Sequence, residues 1–379
     1  MRRFALAAFL VIAALAGDFP PGQIIDDVKC AADASESYAL YLPPQYSPVR
    51  SWPVLFAFDP RARGRMPVET YQAAAEKYGY IVAGSNNSKN GPWAVSLAAA
   101  QAMLADVGAR FSIDAKRLYA AGLSGGARVS MALAISGGGK FAGVIASSAG
   151  MPDNRPRTSL DFAVFATAGT GDFNYLEMRR LDRSLTSPHR LRIFDGGHAW
   201  PPSDIATEAV EWLEIQAMKS GLRARDEEFL DQAFAARKAR AAQQRNDRDA
   251  YASLGALVAD FDGLRDVREA ASRVEALARD KDVQKALKEE RNQEQHEQQL
   301  YRELAELAAG LDNPATRRDN LGELGSRLAK LARQASAPED SAERQLARRA
   351  VWTVIVDNGS RDDPELSKLL KEVRPTERP

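Results

Sequence analysis

The sequence predicts an α/β fold with a mostly parallel sheet in its first 220 residues, followed by an all-α helical region. Residues 36–219 contain short, continuously apolar runs that alternate with helical patterns, as expected for strands buried between layers of helices. The composition changes after residue 219, where the chain holds 60 of its 102 charged residues but only six of its 29 aromatic residues. This change predicts an α/β domain at residues 20–221 and a charged helical domain at residues 222–379.

The elements of the first part follow from these apolar and helical patterns. The predicted strands are 38–42, 54–58, 80–83, 117–121, 143–146, 162–168 and 191–194, and the predicted helices are 68–78, 95–110, 125–135 and 203–219. In the second part, turn and capping residues separate helices predicted at 226–245, 249–260, 264–279, 282–308, 314–334, 340–356 and 364–372. These helices suggest an array of helix pairs. A tetratricopeptide-like array is one candidate, although the sequence shows no clean repeat of about 34 residues. The charged stretch 281–299 predicts a solvated helix.

The first 16 residues predict a signal peptide. Two arginines at positions 2 and 3 precede an apolar stretch at 4–15, and Ala14-Leu15-Ala16 supplies the small residues that a signal peptidase recognises. We therefore expect an exported protein, periplasmic or secreted, with no stable membrane anchor after cleavage. The alternative is that this stretch forms a buried amino-terminal helix.

Composition excludes several classes of function. Lys plus Arg and Asp plus Glu both number 51, so no net charge attracts nucleic acid. One cysteine and three histidines leave little for a metal cluster. We expect no metal, no cofactor and no nucleic-acid partner.

The sharpest motif is Gly122-Leu123-Ser124-Gly125-Gly126, which lies between a predicted strand and a predicted helix. The pattern G-x-S-x-G is weak alone, but this strand–turn–helix context is the one in which it marks a nucleophilic serine. The serine would occupy a strained turn that leaves no room for bulky neighbours, with its hydroxyl near the positive end of the helix.

Two further motifs follow later strands. Ala168-Gly169-Thr170-Gly171-Asp172 comes after one strand, and Asp195-Gly196-Gly197-His198-Ala199-Trp200 comes after the next. All three motifs would therefore lie at the carboxyl ends of strands of one sheet, where such sheets bind ligands. A nucleophilic serine needs a base, and the base needs an orienting acid.

This half of the chain resembles the α/β-hydrolases, which carry nucleophile, acid and histidine in this order. Over about residues 36–219, the Gly-Gly-His-x-Trp-Pro stretch and the short core resemble secreted esterases of the polyhydroxybutyrate-depolymerase and feruloyl-esterase type. The resemblance implies Ser124 as nucleophile, His198 as general base and Asp172 as orienting acid. Other acids also lie within reach in the sequence, namely Asp153, Asp161, Glu177 and Asp195.

The oxyanion hole is where the chain departs from this family. One donor should be the N–H of Gly125. The other should follow the strand 54–58, where relatives usually carry His-Gly and this chain has Asp59-Pro60-Arg61. Pro60 has no N–H, so Arg61 is the predicted second donor. Its side chain is expected to pair with Asp59, and binding of an acidic substrate is the alternative.

Four residues are candidates for substrate binding. Asn86, Asn87 and Trp93 belong to a loop that follows a strand end, and Trp200 lies two residues after His198. Each also has an ordinary structural interpretation, as turn or packing residues.

The gap between the strands at 143–146 and 162–168 is too short for a helical lid. An open site favours an accessible ester substrate, including one on a polymer. The triad would equally serve a peptidase or an acyltransferase, and a non-catalytic binding or scaffold protein is the alternative from another class. The helical region would then dock a protein partner or regulate the enzyme, and we expect a fragment ending near residue 222 to be active.

Overall fold

The computed structural model describes residues 19–153, 155 and 157–375. The predicted signal peptide at 1–16 lies outside these described residues. Eight strands form one sheet: β1 (Ile24–Lys29), β2 (Ser37–Tyr41), β3 (Trp52–Phe58), β4 (Ile81–Ser85), β5 (Ile113–Leu123), β6 (Phe141–Ser147), β7 (Ala163–Gly169) and β8 (His189–Phe194).

The sheet is mostly parallel, and its order is β1-β2-β4-β3-β5-β6-β7-β8. Strand β2 runs antiparallel to both of its neighbours, whereas the pairs from β4 through β3, β5 and β6 to β7 are parallel. The connecting helices are α1 (Arg65–Tyr78), α2 (Trp93–Arg110), α3 (Gly125–Ser136), α4 (Tyr175–Ser184) and α5 (Ser203–Lys219). This is the α/β-hydrolase architecture that the sequence predicts.

Burial explains why the central strands are continuously apolar. Every residue of β3, β4 and β7 is buried, as expected for parallel strands covered on both faces. Helix α5 covers the sheet with a wide apolar face that includes Trp212, whose ring meets Phe165 of β7 edge-on at 5.7 Å.

Two elements escaped the sequence analysis. Strand β1 reads Ile-Ile-Asp-Asp-Val-Lys and lies at the sheet edge, where exposed acidic residues interrupt the apolar run. Helix α4 is short and highly charged, so that only one face of it is apolar. Neither segment carries the long periodic signal on which such predictions depend.

The described residues that follow β6 form no helical lid. The described residues between β6 and β7 contain neither helix nor strand. The short segment that predicted an open site is therefore irregular chain wherever the structure describes it.

The second part is helical, as predicted. Its helices are α6 (Glu227–Ala242), α7 (Asp247–Phe261), α8 (Arg268–Arg279), α9 (Lys281–Ala309), α10 (Arg317–Ala335), α11 (Ala342–Asn358) and α12 (Pro364–Glu372). Helices α9 to α12 share an apolar core that includes Leu304, Leu328, Val351 and Leu366. None of the described helices is long and apolar enough to cross a membrane.

Packing divides the chain into two compact units that do not follow the predicted boundary near residue 221. The first comprises the described residues up to Thr167 together with Met178–Arg192 and Trp200–Leu230. The second comprises Ala168–Glu177, Ile193–Ala199 and the described residues from Asp231 onward. The loops after β7 and β8 therefore group with the charged helices.

We predict that the sole cysteine, Cys30, resists alkylation in the folded protein. Cys30 is only 2% exposed. Its burial, and to a smaller extent the nearby Asp106 carboxylate, raise the pKa of the thiol to about 11. The reactive thiolate is then scarce at pH 8, so iodoacetamide should label the folded chain about a hundredfold more slowly than the chain in guanidinium. Intact-mass spectrometry measures both rates, and equal rates would contradict the burial of this thiol.

Candidate active site

Ser124 occupies a sharp turn between β5 and α3. Its backbone has φ +55° and ψ −121°, a conformation that residues other than glycine adopt only under strain. The Ser124 N–H donates a hydrogen bond of 2.8 Å to the Ser147 carbonyl at the end of β6. The turn thus has the geometry that exposes a nucleophilic serine at the carboxyl edge of a sheet.

The glycines on either side of this turn are required by close backbone contacts. A Cβ on Gly122 would lie 2.1 Å from the Gly126 carbonyl oxygen. A Cβ on Gly126 would lie 1.9 Å from the Phe58 carbonyl oxygen. Both distances are far below van der Waals contact, so only glycine fits, and the G-x-S-x-G pattern has a packing cause in this chain.

Gly125 begins α3 and carries the predicted first oxyanion donor. Its N–H belongs to the first turn of the helix, whose N–H groups have no partner within the helix. A Cβ at this position would lie 1.9 Å from Oδ1 of Asn90, so the Asn90 carboxamide lies directly against Gly125. The Asn90 N–H in turn donates to the Pro60 carbonyl at 2.9 Å.

The loop after β3 is organised around Asp59, which is fully buried. Its two carboxylate oxygens accept hydrogen bonds of 2.9 Å from Nε and Nη2 of Arg63. Trp200 Nε1 and the Arg61 N–H also donate to Asp59, each at 2.9 Å. The expected pairing of the Arg61 side chain with Asp59 is therefore wrong, because Arg63 forms that pair. The Arg61 N–H, proposed as the second oxyanion donor, is engaged within the loop.

The two asparagines predicted to bind substrate form hydrogen bonds with β1, with β2 and with the turn between these two strands. Asn86 Nδ2 donates to the Asp26 carbonyl at 2.9 Å, and Asn87 Oδ1 accepts from the Ser37 N–H at 2.9 Å. Asn87 Nδ2 donates to the Ser35 carbonyl at 3.0 Å. Their amides make these contacts within the fold, and their role in binding substrate stays a prediction. The residue of this loop that reaches the serine turn is Asn90.

The two candidate tryptophans have opposite environments. Trp93, at the start of α2, is 45% exposed and offers an accessible aromatic surface. Trp200 is 8% exposed, with its indole N–H bonded to Asp59 and its ring edge-on to Tyr71 at 6.0 Å. Trp200 therefore packs against the Asp59 loop and donates to its carboxylate, and its role in lining a substrate site stays a prediction.

Asp172 and His198 form a hydrogen-bonded pair. His198 Nδ1 lies 2.8 Å from Asp172 Oδ1, within the range of about 2.6–3.2 Å that a general base and its orienting acid require. Since a carboxylate only accepts, Nδ1 carries a proton, and in the neutral imidazole Nε2 then keeps a lone pair. The same Oδ1 accepts from the Asn174 N–H at 2.8 Å, and Phe173 stacks on the imidazole at 4.0 Å between ring centroids.

The loops that carry this pair are joined through their backbones. The Thr170 N–H donates to the Phe194 carbonyl, and the Gly171 N–H donates to the Gly196 carbonyl, both at 2.8 Å. A Cβ on Gly169 would lie 2.3 Å from the Gly197 carbonyl oxygen. The backbone of the histidine loop can therefore approach position 169 this closely only because that residue is glycine. The Asp172–His198 distance is thus set by backbone contacts as well as by the side chains.

The rival acids are otherwise engaged or lie elsewhere. Asp153 pairs with Arg157 at 2.6 Å on the surface. Asp195 accepts a long hydrogen bond of 3.4 Å from Thr170 Oγ1. Asp172 is the carboxylate that contacts His198 among the described residues. The described residues also contain no group of three or more potential metal ligands.

No protein-family model and no curated protein matches the chain. Similar solved structures include an S-formylglutathione hydrolase of Staphylococcus aureus, with 13% identity, TM-score 0.41, and coverage of 52% of this chain and 98% of that one. A ferulic acid esterase has 17% identity and TM-score 0.40, over 50% of this chain and 97% of its own. An esterase of Mycobacterium marinum has 17% identity and TM-score 0.42, over 55% and 85%.

We predict that Asp59→Asn destabilises the fold by about 1–3 kcal/mol, because the new amide N–H₂ would face the donors of Arg63 or Trp200 and leave buried groups unpaired. Urea unfolding measures the change.

A matched control is Asp153→Asn, which weakens another Asp–Arg pair of the same i,i+4 spacing, on a half-exposed carboxylate. We expect it to shift the free energy of unfolding by less than about 0.5 kcal/mol. Equal effects of the two substitutions would contradict the role of Asp59 as organiser of its loop.

Proposed function

We propose that the chain is a serine hydrolase that cleaves carboxylic esters, with Ser124 as nucleophile, His198 as general base and Asp172 as orienting acid. The observation that carries this proposal is the 2.8 Å contact between Asp172 and His198. It joins residues that follow β7 and β8, in a sheet whose strand β5 ends at the strained Ser124. Three chemically matched groups at the carboxyl ends of strands in one sheet are the arrangement expected of a catalytic triad.

In the proposed reaction, Ser124 Oγ attacks the ester carbonyl carbon while His198 Nε2 takes the hydroxyl proton. Asp172 keeps the proton on Nδ1 and stabilises the imidazolium that forms. The tetrahedral intermediate then expels the alcohol, which receives its proton from His198, and the acyl group remains on Ser124. Water, deprotonated by His198, attacks the acyl-enzyme and releases the acid.

The negative oxygen of the tetrahedral intermediate requires donors that are fixed in advance. The N–H of Gly125, at the amino terminus of α3, supplies the first. We propose Nδ2 of the Asn90 carboxamide as the second. It lies 3.7 Å from the Cβ position of Gly125, farther than Oδ1, and the Asn90 loop is held by the Pro60 carbonyl. A side-chain amide can serve this role as well as a backbone N–H.

The substrate is proposed to be an accessible ester, including one on a polymer. Two observations favour it: the described chain between β6 and β7 forms no helical lid, and Trp93 presents an exposed ring. Amide hydrolysis and acyl transfer use the same three residues, and chromogenic amides and added alcohol acceptors distinguish them from ester hydrolysis. Export to the periplasm or beyond, predicted from residues 1–16, is part of this proposal.

We predict that Ser124→Ala lowers kcat/KM on a p-nitrophenyl ester by about 10⁴–10⁶, because only binding and the oxyanion donors remain. The matched control is Ser136→Ala at the far end of α3, an exposed serine whose hydroxyl bonds only to its own helix. It should keep wild-type turnover. An active Ser124→Ala enzyme would place the nucleophile elsewhere.

We predict that Asp172→Asn lowers turnover at neutral pH by up to about 10⁴-fold, since the amide can hold the wrong imidazole tautomer. Asp195→Asn is the control. Asp195 lies on the histidine loop and accepts a hydrogen bond from Thr170 of the acid loop, whereas the hydrogen bond to the His198 ring is made by Asp172. Steady-state kinetics measure both. If Asp195→Asn is the more damaging substitution, Asp172 is not the orienting acid.

A further inference from the structure

Arg349 of α11 is a buried arginine in a part of the chain that is otherwise dominated by solvated charges. Its Nε and Nη2 donate to the two carboxylate oxygens of Glu297 at 2.7 and 2.6 Å. The side chains of Arg349 and Glu297 are only 8% and 3% exposed. The Tyr301 hydroxyl donates to the same carboxylate. Glu297 is therefore held by a residue of its own helix, α9, and by Arg349 of α11.

The remaining guanidinium nitrogen of Arg349 contacts the loop that carries Asp172, the proposed orienting acid. Nη1 donates to the Thr170 carbonyl at 2.5 Å, two residues before Asp172. The guanidinium carbon also lies 4.4 Å from the centroid of the Tyr175 ring, three residues after Asp172. One guanidinium therefore contacts both sides of the turn that carries the acid.

The neighbouring Arg348 contacts the same turn at its middle. A Cβ on Gly171 would lie 3.2 Å from Arg348 Cδ, so the arginine stem packs across this glycine. The N–H groups of Thr170 and Gly171 are bonded to the histidine loop, as described above. A continuous set of contacts therefore runs from Glu297 through Arg349 and the acid turn to His198.

The energetics of this pair indicate a role beyond stability. Removing two charges from water is costly, and a buried ion pair often stabilises a fold no more than apolar residues of the same volume would. Burial alone would lower the pKa of Arg349, but the hydrogen bond with Glu297 raises it above its usual value. The guanidinium stays charged, and its bond to the Thr170 carbonyl is charge-assisted.

We propose that Arg349 is a positioning residue of the esterase: anchored by Glu297, it holds the Thr170–Tyr175 turn so that Asp172 meets His198. This inference rests on the proposed function, in which Asp172 orients the imidazole. It gives the charged helical region a role in catalysis, and a fragment ending near residue 222 would lack the guanidinium. The expectation that such a fragment is active is therefore replaced by the expectation that it turns over poorly.

The test compares Arg349→Met with Arg237→Met in the full chain. Arg237 of α6 pairs with Asp260 of α7 at 2.6 Å, with side-chain exposures of 8% and 4%, so it matches Arg349 in burial and partner. Both residues of the control pair lie on α6 and α7, outside the loops that carry Asp172 and His198. Two measurements are made on each variant: steady-state kinetics on a p-nitrophenyl ester, and amide hydrogen exchange of the peptide that spans residues 168–177.

For Arg349→Met we expect a loss in kcat of about 10²-fold with KM changed less than twofold, as for a misplaced catalytic group. Exchange in residues 168–177 should be faster than in the wild type. Arg237→Met should lower the melting temperature but keep kcat within about twofold and leave this peptide unchanged. If Arg349→Met does not fold, Arg349→Lys keeps the charge but cannot reach Glu297 and Thr170 together, and should show the same pattern more weakly.

The outcomes separate this inference from the proposed function. Unchanged exchange in residues 168–177, or equal losses of kcat in both variants, would overturn the role of Arg349 while the wild-type esterase activity stood. A wild-type chain that cleaves no ester would overturn the proposed function, whereas the exchange measurement would still report whether Arg349 holds the turn.

Discussion

The hydrogen bond between Asp172 and His198 is the interaction on which the rest of the site depends. A neutral imidazole can accept a serine proton only if its other nitrogen carries the proton, and the buried carboxylate enforces that arrangement. The pair lies on two loops, and loops need support to hold a distance of 2.8 Å. That support comes from glycine contacts, from backbone hydrogen bonds between the loops, and from the guanidinium of Arg349.

The proposed nucleophile is held differently. Ser124 is fixed by the geometry of one strand–turn–helix unit, in which two glycines permit backbone contacts that any side chain would prevent. The neighbouring loop is fixed by the buried Asp59, whose oxygens are fully used by Arg63, Trp200 and the Arg61 N–H. The strain at Ser124 is thus maintained by ordinary packing around it, as expected where a fold stores strain at a functional site.

The way in which each part of the site is held explains which parts could be predicted from the sequence. The serine turn and the proximity of Asp172 to His198 were predictable, because each residue follows a buried apolar strand and is flanked by glycines. The choice among Asn86, Asn87 and Asn90 was not, since three asparagines in one loop differ only in where the backbone points them. Arg61 and Arg63 were confused for the same reason.

The buried contacts of the charged helical region were the hardest to predict from the sequence. Glu297 and Arg349 are two charges among sixty in that region, and nothing local distinguishes a buried pair from solvated residues. Their burial arises from contacts 52 residues apart in sequence, and the contact of Arg349 with Thr170 spans 179 residues. Strand β1 and helix α4 were missed because short charged segments carry weak periodicity.

The measurement that tests the account most directly is the site of covalent labelling by a fluorophosphonate. Such a probe reacts with a serine that a histidine activates, and peptide mass spectrometry locates the phosphonyl group. The account predicts a single adduct on Ser124 that forms in the native chain, is absent after denaturation, and is strongly reduced in His198→Ala. An adduct on another residue, or none in the folded chain, would contradict it.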